Sequence, residues 1–424
     1  MTVNALIDQI MSPAGLERLA NLYGDRPGEA RRQQQRYAAL ARKHQEIFGT
    51  DQAPMILSAA GRTELCGNHT DHNNGLVMAA AVNLDTVAAV RPRADMLVRL
   101  NSEGFPPVEL SLADLAVVPE EAGKPASIIR GVANRLRELG CRIGGFDANV
   151  TSSVLAGSGL SSSAAFEVLM VAILDALYNG MRVDAVTRAQ ISQYAENVYF
   201  GKPSGLMDQM ASSVGGLVAI DFESEPRVTP LQMDLTGYSM VVVGTGSSHD
   251  DLTEDYAAVR REMHAVARCF GKEVLRQVTE EQLVGDLPRV MKEAGDRAVL
   301  RAMHYFNENG RVKQLIQAVR QSDIESFKRI LIESGRSSWM YLQNVYASPA
   351  DQSLSVALCL AERMLAGRGA WRVHGGGFAG TTLNVVPLAL EADFVRQMNA
   401  VFGEDAAHVL SIRKEPAAIV FEGE

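Results

Sequence analysis

The segment Leu155-Ala156-Gly157-Ser158-Gly159-Leu160-Ser161-Ser162-Ser163-Ala164-Ala165 constrains this chain more than any other. It joins a strand expected over 147–154 to a helix expected over 164–178, whose Val168, Leu169, Val171, Ile173, Leu174 and Leu177 make it apolar on most sides. Glycines at such a junction let the backbone turn tightly and present amide N–H groups. The helix N-terminus adds partial positive charge, and three serine hydroxyls suit phosphate oxygens or a cation. The plain structural alternative is a flexible turn with serine N-caps. Two other phosphate motifs fail on spelling: Gly201-Lys202-Pro203-Ser204 has proline where a P-loop needs Ser or Thr, and GSGLSS lacks the third glycine of the dinucleotide fingerprint.

Charge sharpens the point. With 41 Lys plus Arg against 50 Asp plus Glu, the formal net charge is −9, so a bound anion has to be held by local geometry. A broad grip on nucleic acid or an anionic membrane is not expected. A length of 424 residues leads us to expect two domains or one large bilobal unit, and 47% hydrophobic with 21% charged residues is an ordinary globular balance. Cys66, Cys141, Cys269 and Cys359 are too far apart for a disulfide framework or a metal knuckle and read as reduced thiols of a cytoplasmic protein. The first residues, MTVNALIDQIMSPAG, carry no early Lys or Arg, so no secretory leader is expected, and the longest apolar runs fall short of a membrane span.

A charged helical stretch is expected from Gly28 to Gly49, followed by strands at 55–59, 76–82, 86–90 and 96–100 and a helix over 127–139. Further helices are expected at 185–197, 253–270, 286–306, 311–320 and 354–366, with strands at 215–222, 240–244, 371–373 and 382–386 and a boundary near residue 220.

Three more segments are polar beyond the needs of packing. Gly61-Arg62-Thr63-Glu64-Leu65-Cys66-Gly67-Asn68-His69-Thr70-Asp71-His72 lies between two apolar strands; its HTDH lacks the spacing of HExxH, and converging donors and acceptors suit a polyol better than a metal. Gly205-Leu206-Met207-Asp208-Gln209 places an aspartate where a helix cap is the simplest alternative to catalysis. His374-Gly375-Gly376-Gly377 spells an esterase oxyanion motif, but no GxSxG elbow accompanies it.

In this order the four segments resemble the galactokinase family of GHMP small-molecule kinases. Gly61-Arg62 with Gly67-Asn68-His69-Thr70-Asp71 looks like the galactokinase signature, GLSSSA like the GHMP phosphate loop, GLMDQ like the galactokinase base region, and Gly375-Gly376-Gly377-Phe378 like the third GHMP motif. The stretch from Ser248-His249 through Tyr256 to Arg260-Arg261 is similar with approximate spacing.

The resemblance implies an α/β (α+β) two-domain fold with the active site in the interdomain cleft: an N-terminal extension over 1–45, then domains over 46–220 and 221–424. It implies ATP and Mg²⁺ as cofactors and a monosaccharide phosphorylated at its anomeric hydroxyl, by a monomer or weak homo-oligomer. Carried over by residue, Gly157, Ser158, Gly159, Leu160, Ser161, Ser162, Ser163 and Ala164 cradle the ATP phosphates, and Ser162 with Glu196 binds the metal. Asp208 accepts the hydroxyl proton and Arg62 holds it ionised. Asn68, His69, Asp71, Gly205 and Tyr256 contact the sugar; Asn101 and Ser102 are the only adenine candidates.

The departures bear on specificity. The family's Pro-Gly-Arg is Ala60-Gly61-Arg62 here, its Asn two residues after the Arg is Glu64, its Glu before the His is Asn68, and its Tyr after the Asp is His72. In galactokinases that Glu resembles an acceptor for the hydroxyl on carbon 6. An Asn there would tolerate a carboxylate, so galacturonate stands as an alternative to galactose, and plant galacturonokinases resemble this loop. A galactokinase-like sensor without catalysis is the third reading; the intact phosphate loop, Asp208 and Arg62 speak against it.

Overall fold

The computed structural model describes residues 1–24, 26–154, 160–246, 252–378 and 380–423. The chain opens with three helices, α1 (Val3–Met11), α2 (Pro13–Tyr23) and α3 (Glu29–Phe48). Strands β1 (Met55–Cys66), β2 (Leu76–Pro92), β3 (Leu97–Ser102) and β4 (Val108–Ser111) follow, then α4 (Pro125–Glu138), β5 (Phe146–Ser152), α5 (Ser162–Asn179), α6 (Ala185–Tyr194) and α7 (Met207–Val214). Next come β6 (Leu217–Asp221), β7 (Arg227–Leu231), β8 (Tyr238–Gly244), α8 (Thr253–Cys269), α9 (Glu280–Gly285), α10 (Leu287–Ala294), α11 (Asp296–Arg320) and α12 (Ile324–Ser337). The remainder is α13 (Ser353–Leu365), β9 (Ala370–His374), β10 (Thr381–Pro387), α14 (Leu388–Phe402), β11 (Ala407–Leu410) and β12 (Ala418–Phe421).

Two sheets organise these elements. The larger runs β12-β1-β2-β5-β3-β4, with β6 and β7 branching from β2; the smaller runs β11-β8-β10-β9. All neighbouring pairs are antiparallel except β3 with β5. A boundary drawn at 220 therefore cuts the larger sheet, because β7 lies beyond it and β12 returns from the chain end to pair with β1.

The expected strands at 76–82 and 86–90 are one strand, β2. Between them the register to β1 shifts, and the bulged residues pair instead with the tail: Val82 bridges Ile412, and Asn83 and Ser411 exchange hydrogen bonds of 3.0 and 2.8 Å. The expected helices at 286–306 and 311–320 are also divided differently. The break falls at Gly295, whose φ is 92°, and α11 runs through Gly310.

Burial explains the arrangement. Helices α4 and α5 cover one face of the larger sheet through Ile129, Val132, Leu136, Val168, Leu169 and Ile173. Helix α5 is long and apolar enough to cross a membrane, but 61% of it is buried in this core. A second core joins the two sheets, with Leu65, Met78, Val154 and Leu160 on one side and Met240, Val242, Leu383 and Phe327 on the other. On the far face α1, α2 and α3 bury Leu6, Ile10, Leu22 and Tyr37 against Ile56, Val87 and Phe421. The expected helical prelude is thus three helices that close the back of the sheet, the first two capped by Thr2 and by Ser12 with Pro13 at the helix start.

Candidate active site

Strand β1 carries Arg62 to the junction of the two sheets, with its side chain 5% exposed. Asp208 stands in the first turn of α7, where the helix dipole favours a negative charge. The two meet in a bidentate pair, Arg62 Nε to Asp208 Oδ1 at 2.7 Å and Nη2 to Oδ2 at 2.8 Å. The Ser161 hydroxyl donates to the same carboxylate. Burial would raise the Asp208 carboxyl, but the charge and hydrogen bonds of Arg62, the Ser161 hydroxyl and Lys202 together hold it below the ordinary aspartate value. Asp208 is not a helix cap: the N-cap position is Leu206, with no side-chain capping bond, and 32% of the Asp208 side chain remains exposed.

Ser161 likewise escapes the N-cap role. It precedes α5 in the left-handed region, φ 58°, and makes no capping bond. Leu160 is buried, and its carbonyl accepts from Arg62 N at 3.1 Å. Ser162 and Ser163 open α5, and Ala164 is buried behind them, so Leu160 and Ala164 offer a ligand only their backbone. Gly157, Ser158 and Gly159 lie outside the described residues, as do Ser248 and His249.

Asp71 faces the pair from the loop between β1 and β2. A Cβ on Gly205 would lie 1.7 Å from Asp71 Oδ2, so only glycine admits this approach. Burial, then the charge of Asp208, push the Asp71 carboxyl up to about 6. His69, with φ 58°, places its Nε2 2.9 Å from Gly376 O; as a carbonyl only accepts, Nε2 carries the proton and Nδ1 is left as an acceptor. Burial lowers His69 to about 4, so the ring is neutral at pH 7. Tyr256 stacks on it at 6.4 Å between centroids and donates to Gly377 O at 2.9 Å. The β1–β2 loop of the first sheet and the glycine turn of the second are thereby fastened together.

Asn68 is a correction. It is fully buried, and its side chain is committed within the protein: Nδ2 donates to Gly375 O at 2.7 Å and to Glu64 Oε2 at 3.1 Å, while Oδ1 accepts from Asn344 Nδ2 at 2.8 Å. Glu64 in turn pairs with buried Arg372 at 2.7 Å. The cause is the departure at residue 64, which puts a carboxylate within reach of residue 68 and draws the amide to it. The two family departures form one hydrogen-bonded pair, and the side chain expected to read carbon 6 braces the glycine turn instead. Asn101, the adenine candidate, donates across the sheet to Asn149 Oδ1 at 2.9 Å.

A galactokinase galactose-binding signature matches residues 42–92, and the GHMP kinase N-terminal domain matches residues 127–216. Human galactokinase is 34% identical over 396 residues, spanning 90% of this chain and 96% of that protein. The chain belongs to the galactokinase family. The galactokinase of Streptomyces coelicolor is 32% identical over 82% of this chain and 89% of its own length. Among solved structures, Lactococcus lactis galactokinase complexed with galactose superposes with a TM-score of 0.79 at 25% identity, covering 90% of this chain and 99% of that one. Methanococcus jannaschii mevalonate kinase, at 14% identity and a TM-score of 0.62, shares the fold across 85% of this chain.

For a galactokinase-family chain the metal question turns on carboxylates. Among the described residues no group of three or more His, Cys, Asp or Glu side chains is placed to hold a metal ion. Magnesium needs no such cage, since it keeps water and phosphate oxygens and takes one or two carboxylates. Glu196 fits as a hard oxygen donor: it is 3% exposed, accepts from Ser204 Oγ at 2.5 Å and Gln209 Nε2 at 2.8 Å, and has Lys202 Nζ 3.4 Å away. Gln209 also bridges at 2.9 Å to Glu167, which sequence reasoning missed because it lies inside an apolar helix. Burial, then the charge of Glu196, raise Glu167 well above the usual carboxylate range. Two buried carboxylates sharing one amide next to Asp208 make a setting that a cation would relieve.

Proposed function

We propose that this chain transfers the γ-phosphoryl group of ATP to the anomeric hydroxyl of galactose, giving galactose 1-phosphate and ADP. The observation that carries it is the Arg62–Asp208 pair, a carboxylate kept ionised and partly open to the cleft. The sugar hydroxyl gives its proton to Asp208 as its oxygen bonds to phosphorus and the bond from phosphorus to the ADP oxygen breaks. Arg62, bound to Asp208 through both nitrogens, keeps the acceptor ionised and adds positive charge where the transferred group becomes more negative. Asp71 and the Nδ1 acceptor of His69 orient the ring hydroxyls, and Gly205 clears the space for Asp71. The backbone over 157–164 serves the phosphates. Ser162 and Glu196 would hold Mg²⁺, which supplies charge neutralisation on the phosphates.

The argument for galacturonate depended on Asn68 facing carbon 6; with that amide committed to Glu64 and Gly375, galactose is the substrate the site supports. A non-catalytic sensor has no use for a carboxylate held ionised by a buried arginine. The test is a coupled ADP-release assay on purified protein with Mg-ATP and galactose, galacturonate, glucose, N-acetylgalactosamine, arabinose and mannose. Galactose should give the highest kcat/KM. Galactose binding without ADP release would sink the kinase reading, and a preference for galacturonate would sink the substrate.

A further inference from the structure

We propose that Asp85 is a positioning residue for nucleotide binding, fixing the chain where it enters the phosphate loop and drawing its hold from the N-terminal helices. The proposal rests on the reading above that the 157–164 segment takes the phosphates of ATP.

Asp85 sits mid-way along β2, 0% exposed, in a strand otherwise made largely of apolar residues. Its Oδ1 accepts from Arg36 Nη1 of α3 at 2.7 Å. Its Oδ2 accepts from the Tyr23 hydroxyl of α2 at 2.5 Å, from the Ser58 hydroxyl of β1, and from Arg413 Nη1 of the tail at 3.3 Å. Tyr37 of α3 lies 2.8 Å from Tyr23, oxygen to oxygen. Four distant parts of the chain thus converge on one carboxylate that takes no part in the chemistry.

The backbone of Asp85 holds the end of β5, and its carboxylate, which fixes that backbone in place, itself accepts from the Ser153 hydroxyl at 3.5 Å. Ser153 N donates to Asp85 O at 2.8 Å, and Asp85 N donates to Ser153 Oγ at 2.9 Å. Arg36 Nη2 reaches both Asp85 O at 3.2 Å and Thr151 O at 3.3 Å. The next residue, Val154, packs on β1 at Gly61, where an added Cβ would lie 3.1 Å from Val154 and 3.0 Å from Leu160 O. Residues 154 and 160 are therefore seated side by side against Gly61. The entry is gripped by the Asp85 cluster, and the exit is gripped by Arg62 N on Leu160 O and by Ser161 on Asp208.

Burial in an apolar setting makes this cluster a poor way to gain stability alone, since well-packed apolar side chains would serve as well, but it specifies one arrangement of the segments it joins. The sugar side has separate anchors: His304 Nε2 on Asn68 O at 2.9 Å, Asn68 on Gly375 and His69 on Gly376. Loosening the Asp85 cluster should therefore weaken nucleotide binding and spare the sugar.

The test measures dissociation constants for Mg-ATP and for galactose separately, by calorimetry, on the full chain. Arg36→Ala is the primary variant because that side chain is 18% exposed and its loss leaves Arg413 on the carboxylate. Ser153→Ala removes the smaller contact and Asp85→Asn the largest. Arg36→Ala should weaken Mg-ATP on the order of tenfold or more, with galactose affinity unchanged and Arg36→Lys recovering part of the loss. A lowered melting temperature with unchanged Mg-ATP affinity would overturn the proposal, and so would equal losses for both ligands. Should the wild-type chain bind no Mg-ATP, the kinase reading falls and this proposal with it; wild-type binding that persists in all three variants overturns the proposal alone.

Discussion

Asp208 and Asp85 are built from the same parts. Each is an aspartate with arginine on its carboxylate and a serine hydroxyl donating to it, and in each the partners overcome burial and hold the group below its ordinary pKa. They differ in saturation. Asp85 is closed off by two arginines, a tyrosine and a serine and is 0% exposed, whereas Asp208 has one arginine and keeps 32% of its side chain exposed. The first can only hold the chain; the second can take a proton from a ligand. In the proposed mechanism the chemistry falls where the polar network is left incomplete.

Substitution is the way to break that contrast. Asp208→Asn keeps the shape and removes the proton acceptor, so kcat should fall by roughly 10²–10⁴ with little change in galactose affinity or melting temperature. Steady-state kinetics beside calorimetry measures this, and a near-wild-type kcat would remove Asp208 from the role. Combining it with Arg62→Ala should add less than the sum of the two effects, because the pair acts as a unit.

Asp85→Asn should do the reverse. It leaves Arg36 and Arg413 facing a neutral amide in a buried setting and should cost about 3–5 kcal/mol of stability in denaturant unfolding. A variant as stable as the wild type would mean that the cluster bears no charge-pairing energy.

A third carboxylate sharpens the comparison through pH. Asp71, raised to about 6, gains a proton as pH falls through that value and loses its capacity to accept sugar hydroxyls, while Asp208, held low, stays ionised. The kcat/KM for galactose should therefore decline below pH 6, approaching tenfold per unit, before kcat does. Asp71→Asn should remove that limb, and a limb unchanged in the variant would assign it elsewhere.

The smallest effect is expected at Asn68. Glutamate there would meet Glu64 and would have no proton for Gly375 O, costing about 1–3 kcal/mol of stability. The preference between galactose and galacturonate should not move. A shift against galacturonate would return residue 68 to the sugar site.

Local pattern made part of this legible. Helix α5 is apolar on most sides and had few alternatives, and the polar density of Arg62 to Asp71 between two strands marked a ligand loop. The rest depended on contacts remote in sequence. β2 is continuous because residues 411–413 fill its bulge, Asp85 finds Arg36 and Arg413 49 and 328 positions away, and no window along the chain holds those partners together. Asn68 differs for the opposite reason: its partner Glu64 is only four residues away, and the two departures from the family pattern act as one hydrogen-bonded pair. The caps of α1 and α2, Thr2 and Ser12 with Pro13, were present in the sequence, but those helices are short and their burial against Ile56, Val87 and Phe421 is tertiary.

The most direct test of the central claim, that Asp208 receives the proton of the anomeric hydroxyl during phosphoryl transfer, is phosphorus NMR of wild-type protein turning over Mg-ATP and galactose. The account predicts one new phosphate resonance, coupled to the anomeric proton, growing in step with ADP and absent on the same timescale with Asp208→Asn. Phosphate on any other carbon, inorganic phosphate released in place of a sugar phosphate, or the same resonance formed at full rate by the variant would contradict it.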